Sequence, residues 1–222
     1  IKLNPNWVLN GWVVRSYDRD HSGRRLSGPA YFAALSRSGP RFDYFGSYDD
    51  ISPDCRAELG FVPRTDVRLT EHDTHYHWFP EGRRLVRFGP EAEAMLIWDR
   101  QGRLTDWKLE GAFEVEWEGQ TELEVGRTEL LELYKELEFR KYANYVKFST
   151  AWLKWLELST LFRTGTGVNY HPAARAGAPS LPPFLAANTE SYLQFTLRPA
   201  PRIRFDQTYI YNRLGTGTGL LP

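Results

Sequence analysis

Between residues 106 and 117 the apolar and polar positions alternate: Trp107, Leu109, Phe113, Val115 and Trp117 share one parity with Gly111, and Lys108, Glu110, Glu114 and Glu116 share the other with Ala112. A period of two sends successive side chains to opposite sides, which predicts a strand with one apolar and one polar face. The preceding segment repeats the pattern, with Val86, Phe88, Ala92, Ala94, Leu96 and Trp98 set against Arg87, Glu91, Glu93 and Asp99. The same alternation recurs at Phe42, Tyr44 and Tyr48, at Leu123 and Val125, at Tyr142, Val146, Phe148 and Trp152, and at Ile203, Phe205, Tyr209 and Tyr211. About eleven strands follow, near residues 6–17, 29–37, 41–49, 66–79, 84–98, 104–117, 121–133, 142–151, 154–163, 189–198 and 202–212. Only residues 129–139 compete as a helix, with Leu130, Leu131, Leu133, Tyr134 and Leu137 set among glutamates, and it would be short and isolated.

The connections between these strands set the expected topology. Those after odd-numbered strands cover residues 18–28, 50–65, 99–103, 134–141 and 164–188; those after even-numbered strands cover 38–40, 80–83, 118–120, 152–153 and 199–201. Long and short connections therefore alternate. An up-and-down meander sends every second connection to the same end, and outer-membrane barrels keep short turns on the periplasmic side and longer loops outside. A Greek-key sandwich has no reason to sort its loops this way. Several segments reach twelve residues or more, whereas ordinary strands run to about five or six and tilted membrane strands to roughly nine to eleven. Aromatic residues make up 15% of the chain. Many lie near predicted strand ends, among them Trp7, Tyr17, Trp78, Phe79, Trp98, Trp107, Trp117, Tyr142, Trp152, Trp155 and Tyr211, where girdles at the two headgroup boundaries would fall. The expected architecture is an all-β antiparallel up-and-down meander of long strands forming part of a transmembrane β barrel, with residues 1–222 as one barrel segment. An eleventh strand ending near Asn212 leaves the barrel incomplete, so further strands are expected, from the same protein or from another chain.

Charge and composition narrow the function. Lys plus Arg and Asp plus Glu both number 28 in 222 residues, so no single-sign field exists to attract nucleic acid. Cys55 is the single cysteine, which excludes an internal disulfide framework and a multi-thiolate metal site. No apolar run approaches the roughly 18 residues of a spanning helix, and the mean hydropathy is −0.51. A membrane β barrel stays open to this test, because its strands are only half apolar. The chain starts at Ile1 without an initiator Met or a signal-peptide pattern, and the expectation is a segment excised from a longer protein.

Several stretches carry a resemblance: Pro53-Asp54-Cys55-Arg56-Ala57-Glu58-Leu59-Gly60-Phe61-Val62-Pro63-Arg64-Thr65-Asp66, then Thr150-Ala151-Trp152-Leu153-Lys154-Trp155-Leu156, then Leu197-Arg198-Pro199, and Tyr209-Ile210-Tyr211-Asn212-Arg213-Leu214. Together they resemble the β-barrel domain of unknown function that follows a family-9-like carbohydrate-binding domain in bacterial outer-membrane proteins. The likeness runs from about Asn6 to Pro222. It implies an outer-membrane location, a barrel larger than this segment and a sugar-related module upstream. It supplies no catalytic residues.

The candidate sites are few. Lys108, Glu110, Glu114 and Glu116 share the polar parity and are expected to line the lumen, where wall charge tunes which solutes pass. With Glu122 and Glu124 they form an acidic patch, expected to face Lys147, Lys154, Arg202 and Arg204. Paired carboxylates also serve glycoside hydrolysis, the alternative use. His75 and His77 sit two apart on one face with Glu71 and Asp73; two imidazoles so spaced are a candidate metal pair, the other reading being a polar lumen stripe. Gly165-Thr166-Gly167 and the run from Gly215 to Gly219 lack the helix and lysine of a phosphate cradle and read as loop glycines. Tyr170, Phe184 and Tyr192 are candidate stacking surfaces for sugar rings or anchors for loops. The expected function is a non-catalytic outer-membrane barrel segment, a channel or surface platform linked to carbohydrate handling, with membrane lipid, carbohydrate and the remaining strands of its barrel as partners and no cofactor. The alternative is a soluble β-rich carbohydrate-binding or glycoside-processing module. The two differ in which way Trp107, Phe113 and Val115 look.

Overall fold

The computed structural model describes residues 1–19, 22–56, 64–82, 84–172 and 182–215. Its elements are β1 (Trp7–Arg19), β2 (Arg25–Arg37), β3 (Phe42–Ile51), β4 (Val67–Tyr76), β5 (Leu85–Trp98), β6 (Leu104–Trp117), β7 (Thr121–Tyr134), β8 (Leu137–Leu153), β9 (Leu156–Asn169), β10 (Phe184–Ala200) and β11 (Ile203–Leu214). No described residue is helical. The strands form one sheet in sequence order, β1 to β11. The strands expected from the two-residue period and the antiparallel meander expected from their connections are therefore the observed fold. β1 and β11 are the outer strands of an open order. Part of the motif at residues 53–66 (57–63), most of the Pro, Ala and Gly-rich stretch (173–181) and residues 216–222 of the terminal glycine run lie outside the described residues.

Packing divides the chain into two compact units, residues 1–76 with 92–109, and 77–91 with 110–222. In the first, Leu26, Ala30 and Ala34 lie buried along one face of β2, and Ser47 of β3, opposite Ala34, is buried with them. Trp12 of β1 stacks on Phe32 at 5.6 Å, a cross-strand aromatic pair. The segment after β3 lies over Gly28. A Cβ there would stand 2.2 Å from the Cys55 backbone nitrogen, so only glycine admits this approach. The Ser52 amide donates to the Pro29 carbonyl at 3.1 Å, the Arg56 amide donates to Ser16 Oγ at 2.9 Å, and Cys55 is buried with a free thiol.

In the second unit β7 and β8 pair without a break from Glu122↔Ser149 to Tyr134↔Leu137. Glu124, Thr128 and Tyr145 on one face are buried, whereas Val125, Val146 and Phe162 on the other are exposed. Toward the β7–β8 turn this changes, for Leu131 and Val168 on the second face are buried as well as Phe139 on the first. Register shifts between Thr150 and Leu153 and between Leu197 and Ala200 place bulges beside the β8–β9 and β10–β11 turns.

Three expectations need correction. Gly165-Thr166-Gly167 are not loop glycines but lie within β9. Residues 134–141 are not a long connection: the strand expected at 121–133 prevails over the competing helix, and β7 and β8 run to a tight turn at Lys135 and Glu136, both at positive φ (48° and 64°). That is the left-handed pair of a type I′ turn, whose twist matches the flanking strands. The connection after β4, residues 77–84, is in turn longer than that after β5, residues 99–103. Alternation of long and short connections thus fails at two places, although the longest, 52–66 and 170–183, both follow odd strands.

Candidate functional site

The polar face of the second unit carries two clusters. Gly126 on β7 stands opposite Tyr145 on β8, and its missing side chain leaves the space the tyrosine ring fills: a Cβ on Gly126 would lie 2.4 Å from the ring. Laid across the glycine, Tyr145 is 2% exposed and holds its hydroxyl 2.6 Å from Glu110 Oε1 and 2.7 Å from Glu124 Oε1. That hydroxyl has one hydrogen for two carboxylates. Lys147, opposite Glu124, donates to both of its oxygens at 2.8 Å, and Thr128 donates to Glu110 Oε2 at 3.0 Å. Two carboxylates that would be costly to bury alone are thereby supplied with donors and a countercharge.

The second cluster is built around Arg87 of β5. Its Nη2 lies 2.9 Å from Glu114 Oε1, its Nε donates to Glu116 Oε2 at 2.5 Å, and its Nη1 is 3.1 Å from His77 Nε2. One guanidinium fork thus answers two of the β6 glutamates, a geometry a lysine would not supply. Glu114 is buried and Glu116 half-buried.

The four binding candidates fall in separate environments. Glu110 belongs to the tyrosine cluster, and Glu114 and Glu116 belong to the arginine cluster. Lys108 lies in the first unit, donating to Glu93 at 2.7 Å. Of the cations expected to face the acidic patch, Lys147 does so, but Lys154 and Arg202 sit in hairpin turns and Arg204 pairs with Asp206 at 2.8 Å. His75, in the first unit, has Nε2 2.8 Å from Asp73, and His77, in the second, is buried beside Arg87. Tyr170, just past β9, sits edge-on to Tyr134 with centroids 4.9 Å apart and donates its hydroxyl to Glu132. Burial, reinforced by that carboxylate, raises its pKa to about 12. Tyr192 donates to Gln194 at 2.5 Å.

Sequence reading missed Arg87 and Tyr145 as organisers. The available signal was parity: Tyr145 shares a face with Lys141 and Lys147, and Arg87 shares one with Glu91 and Glu93. Phe113 on the opposite face of β6 is 44% exposed, and Trp107 and Val115 are half-buried.

No family description, no curated protein and no solved structure matches the chain.

Proposed function

We propose that the chain is a non-catalytic segment of an outer-membrane β barrel, serving as a channel wall or surface platform linked to carbohydrate handling. The observation that carries this reading is inverted burial within single strands. Glu114 and Glu124 are each 7% exposed, while their chain neighbours Phe113 and Val125 are 44% and 50% exposed. A sheet with a dry soluble core buries the apolar set instead; a membrane barrel offers that set to lipid and turns the polar set inward. On β9 the outward parity from Leu156 through Leu158 and Thr160 to Phe162 covers roughly 20 Å at about 3.4 Å per residue. That is close to the roughly 25 Å apolar band of outer-membrane barrels. Trp152 and Trp155, both exposed at its lower end, fit an aromatic girdle.

The outer strands support a barrel larger than eleven strands. Tyr209, Ile210 and Tyr211 on β11 are 56%, 77% and 51% exposed, so neither face of that strand is covered. In lipid an unpaired strand edge costs several kcal/mol per backbone group, so β1 and β11 are read as pairing with the remaining strands of the barrel. The link to carbohydrate rests on the resemblance at residues 53–66, 150–156, 197–199 and 209–214. Glycoside processing is disfavoured because Tyr145 occupies the space between Glu110 and Glu124, where a scissile bond would have to enter.

The test is refolding into detergent and into lipid vesicles. Heat-modifiable gel mobility and protease protection in vesicles are the expected result. A monodisperse, folded protein in buffer without detergent would overturn the membrane reading in favour of a soluble module.

A further inference from the structure

We infer that the β8–β9 and β10–β11 turns together form a site for the phosphate of an anionic phospholipid, with Lys154 and Arg202 as its cations and Trp155 as its apolar wall. This inference rests on the membrane reading above and adds to it a lipid class and a place on the barrel.

The turns border an open groove of about 530 Å³ lined by Lys154, Trp155, Arg198, Arg202, Ile203 and Arg204, among others. Two of the cations are answered within the chain: Arg198 donates to Glu157 at 2.5 Å, and Arg204 pairs with Asp206 at 2.8 Å. Lys154 and Arg202 are exposed and form no ion pair among the described residues. Four cations against two carboxylates leave the groove with a charge of about +2. The chain as a whole is neutral, so the excess is local.

The surroundings are apolar and set in place. Trp155 is 50% and Ile203 56% exposed at the groove. The Arg198 amide donates to the Trp155 carbonyl at 2.8 Å, fixing one hairpin against the other. A bulge adjoins each of these turns, and bulges re-aim side chains. An indole beside unpaired cations matches a lipid at the interface, where the ring lies at headgroup depth and the cations reach the phosphate. In the membrane reading these are short turns on the periplasmic side. Arg127 offers a contrast: its guanidinium is already held by Glu129 at 2.8 Å and Asn144 at 3.3 Å and lies over the Tyr142 ring.

The experiment reconstitutes the full chain in phosphatidylcholine vesicles, scores insertion by heat-modifiable mobility, and titrates brominated phosphatidylglycerol against brominated phosphatidylcholine. The readout is the part of tryptophan quenching that Trp155→Phe removes. Each cation near a headgroup contributes about fivefold, so the chain is expected to prefer phosphatidylglycerol tenfold or more. Lys154→Gln with Arg202→Gln should bring that preference within about twofold of unity, and Arg127→Gln should leave it unchanged. Inserted protein without the preference, or a preference that survives the double variant, would overturn the site while leaving the membrane reading intact. Loss of the preference in millimolar inorganic phosphate would mark a free-anion site and overturn the lipid assignment. Failure to insert in either vesicle, by a protein that stays folded and monodisperse in buffer without detergent, would remove both readings together.

Discussion

On one face of the β7–β8 hairpin Glu124 and Tyr145 keep 7% and 2% of their exposure, while on the other their chain neighbours Val125 and Val146 keep 50% and 40%. The backbone is common to both, so the difference lies in what each face is given as a neighbour. The polar face is covered by side chains that meet its hydrogen-bonding needs: Lys147 and Tyr145 on Glu124, and Thr128 and Tyr145 on Glu110. At Val125 and Val146 the apolar face is left exposed by the described residues. A sheet can therefore bury its charged side when the charges complete one another, and leave apolar side chains of the other side exposed.

The sharpest way to break this comparison is to charge the apolar face. Val125→Arg is expected to cost about 2–4 kcal/mol in a bilayer, against about 0.5 kcal/mol or less if that face meets water; urea unfolding from vesicles measures it. On the polar face Tyr145→Phe removes the hydroxyl lodged between two carboxylates. A loss of about 1.5–3 kcal/mol is expected, read by the same unfolding, with Gly126 paired to the ring in both proteins. The turn that joins the faces offers a change of opposite sign. Glu136→Gly relieves a non-glycine residue at φ 64° and should stabilise the hairpin by about 1 kcal/mol, seen as a higher unfolding midpoint with the m-value unchanged. The smallest effect belongs to Tyr170. Its folded pKa of about 12 lies above the unfolded value near 10, so its contribution is complete below pH 10 and is lost as pH rises to about 12. Subtracting the Tyr170→Phe protein in an ultraviolet titration isolates that step.

Most of the fold was legible because a strand writes its period into the chain. β6 was placed at residues 104–117, as observed, and β5 within one residue at its start. The β7–β8 turn was not legible, since Lys135 and Glu136 are not residues that favour positive φ. The hairpin is dictated by the alternation on either side and imposes the turn on them. The site was legible only as a face. That Glu110, Glu114 and Glu116 would share a side follows from parity; that the first meets Tyr145 and the others meet Arg87 depends on register between strands, which a single sequence does not encode locally. The cations of the turns were misplaced for the same reason.

The packing of Cys55 on Gly28 gives the first unit a built-in clock. Because the one thiol of the chain is buried where the segment after β3 rests on β2, its alkylation follows the opening of that segment, as a rate where the reagent outpaces reclosing and as an open population where it does not.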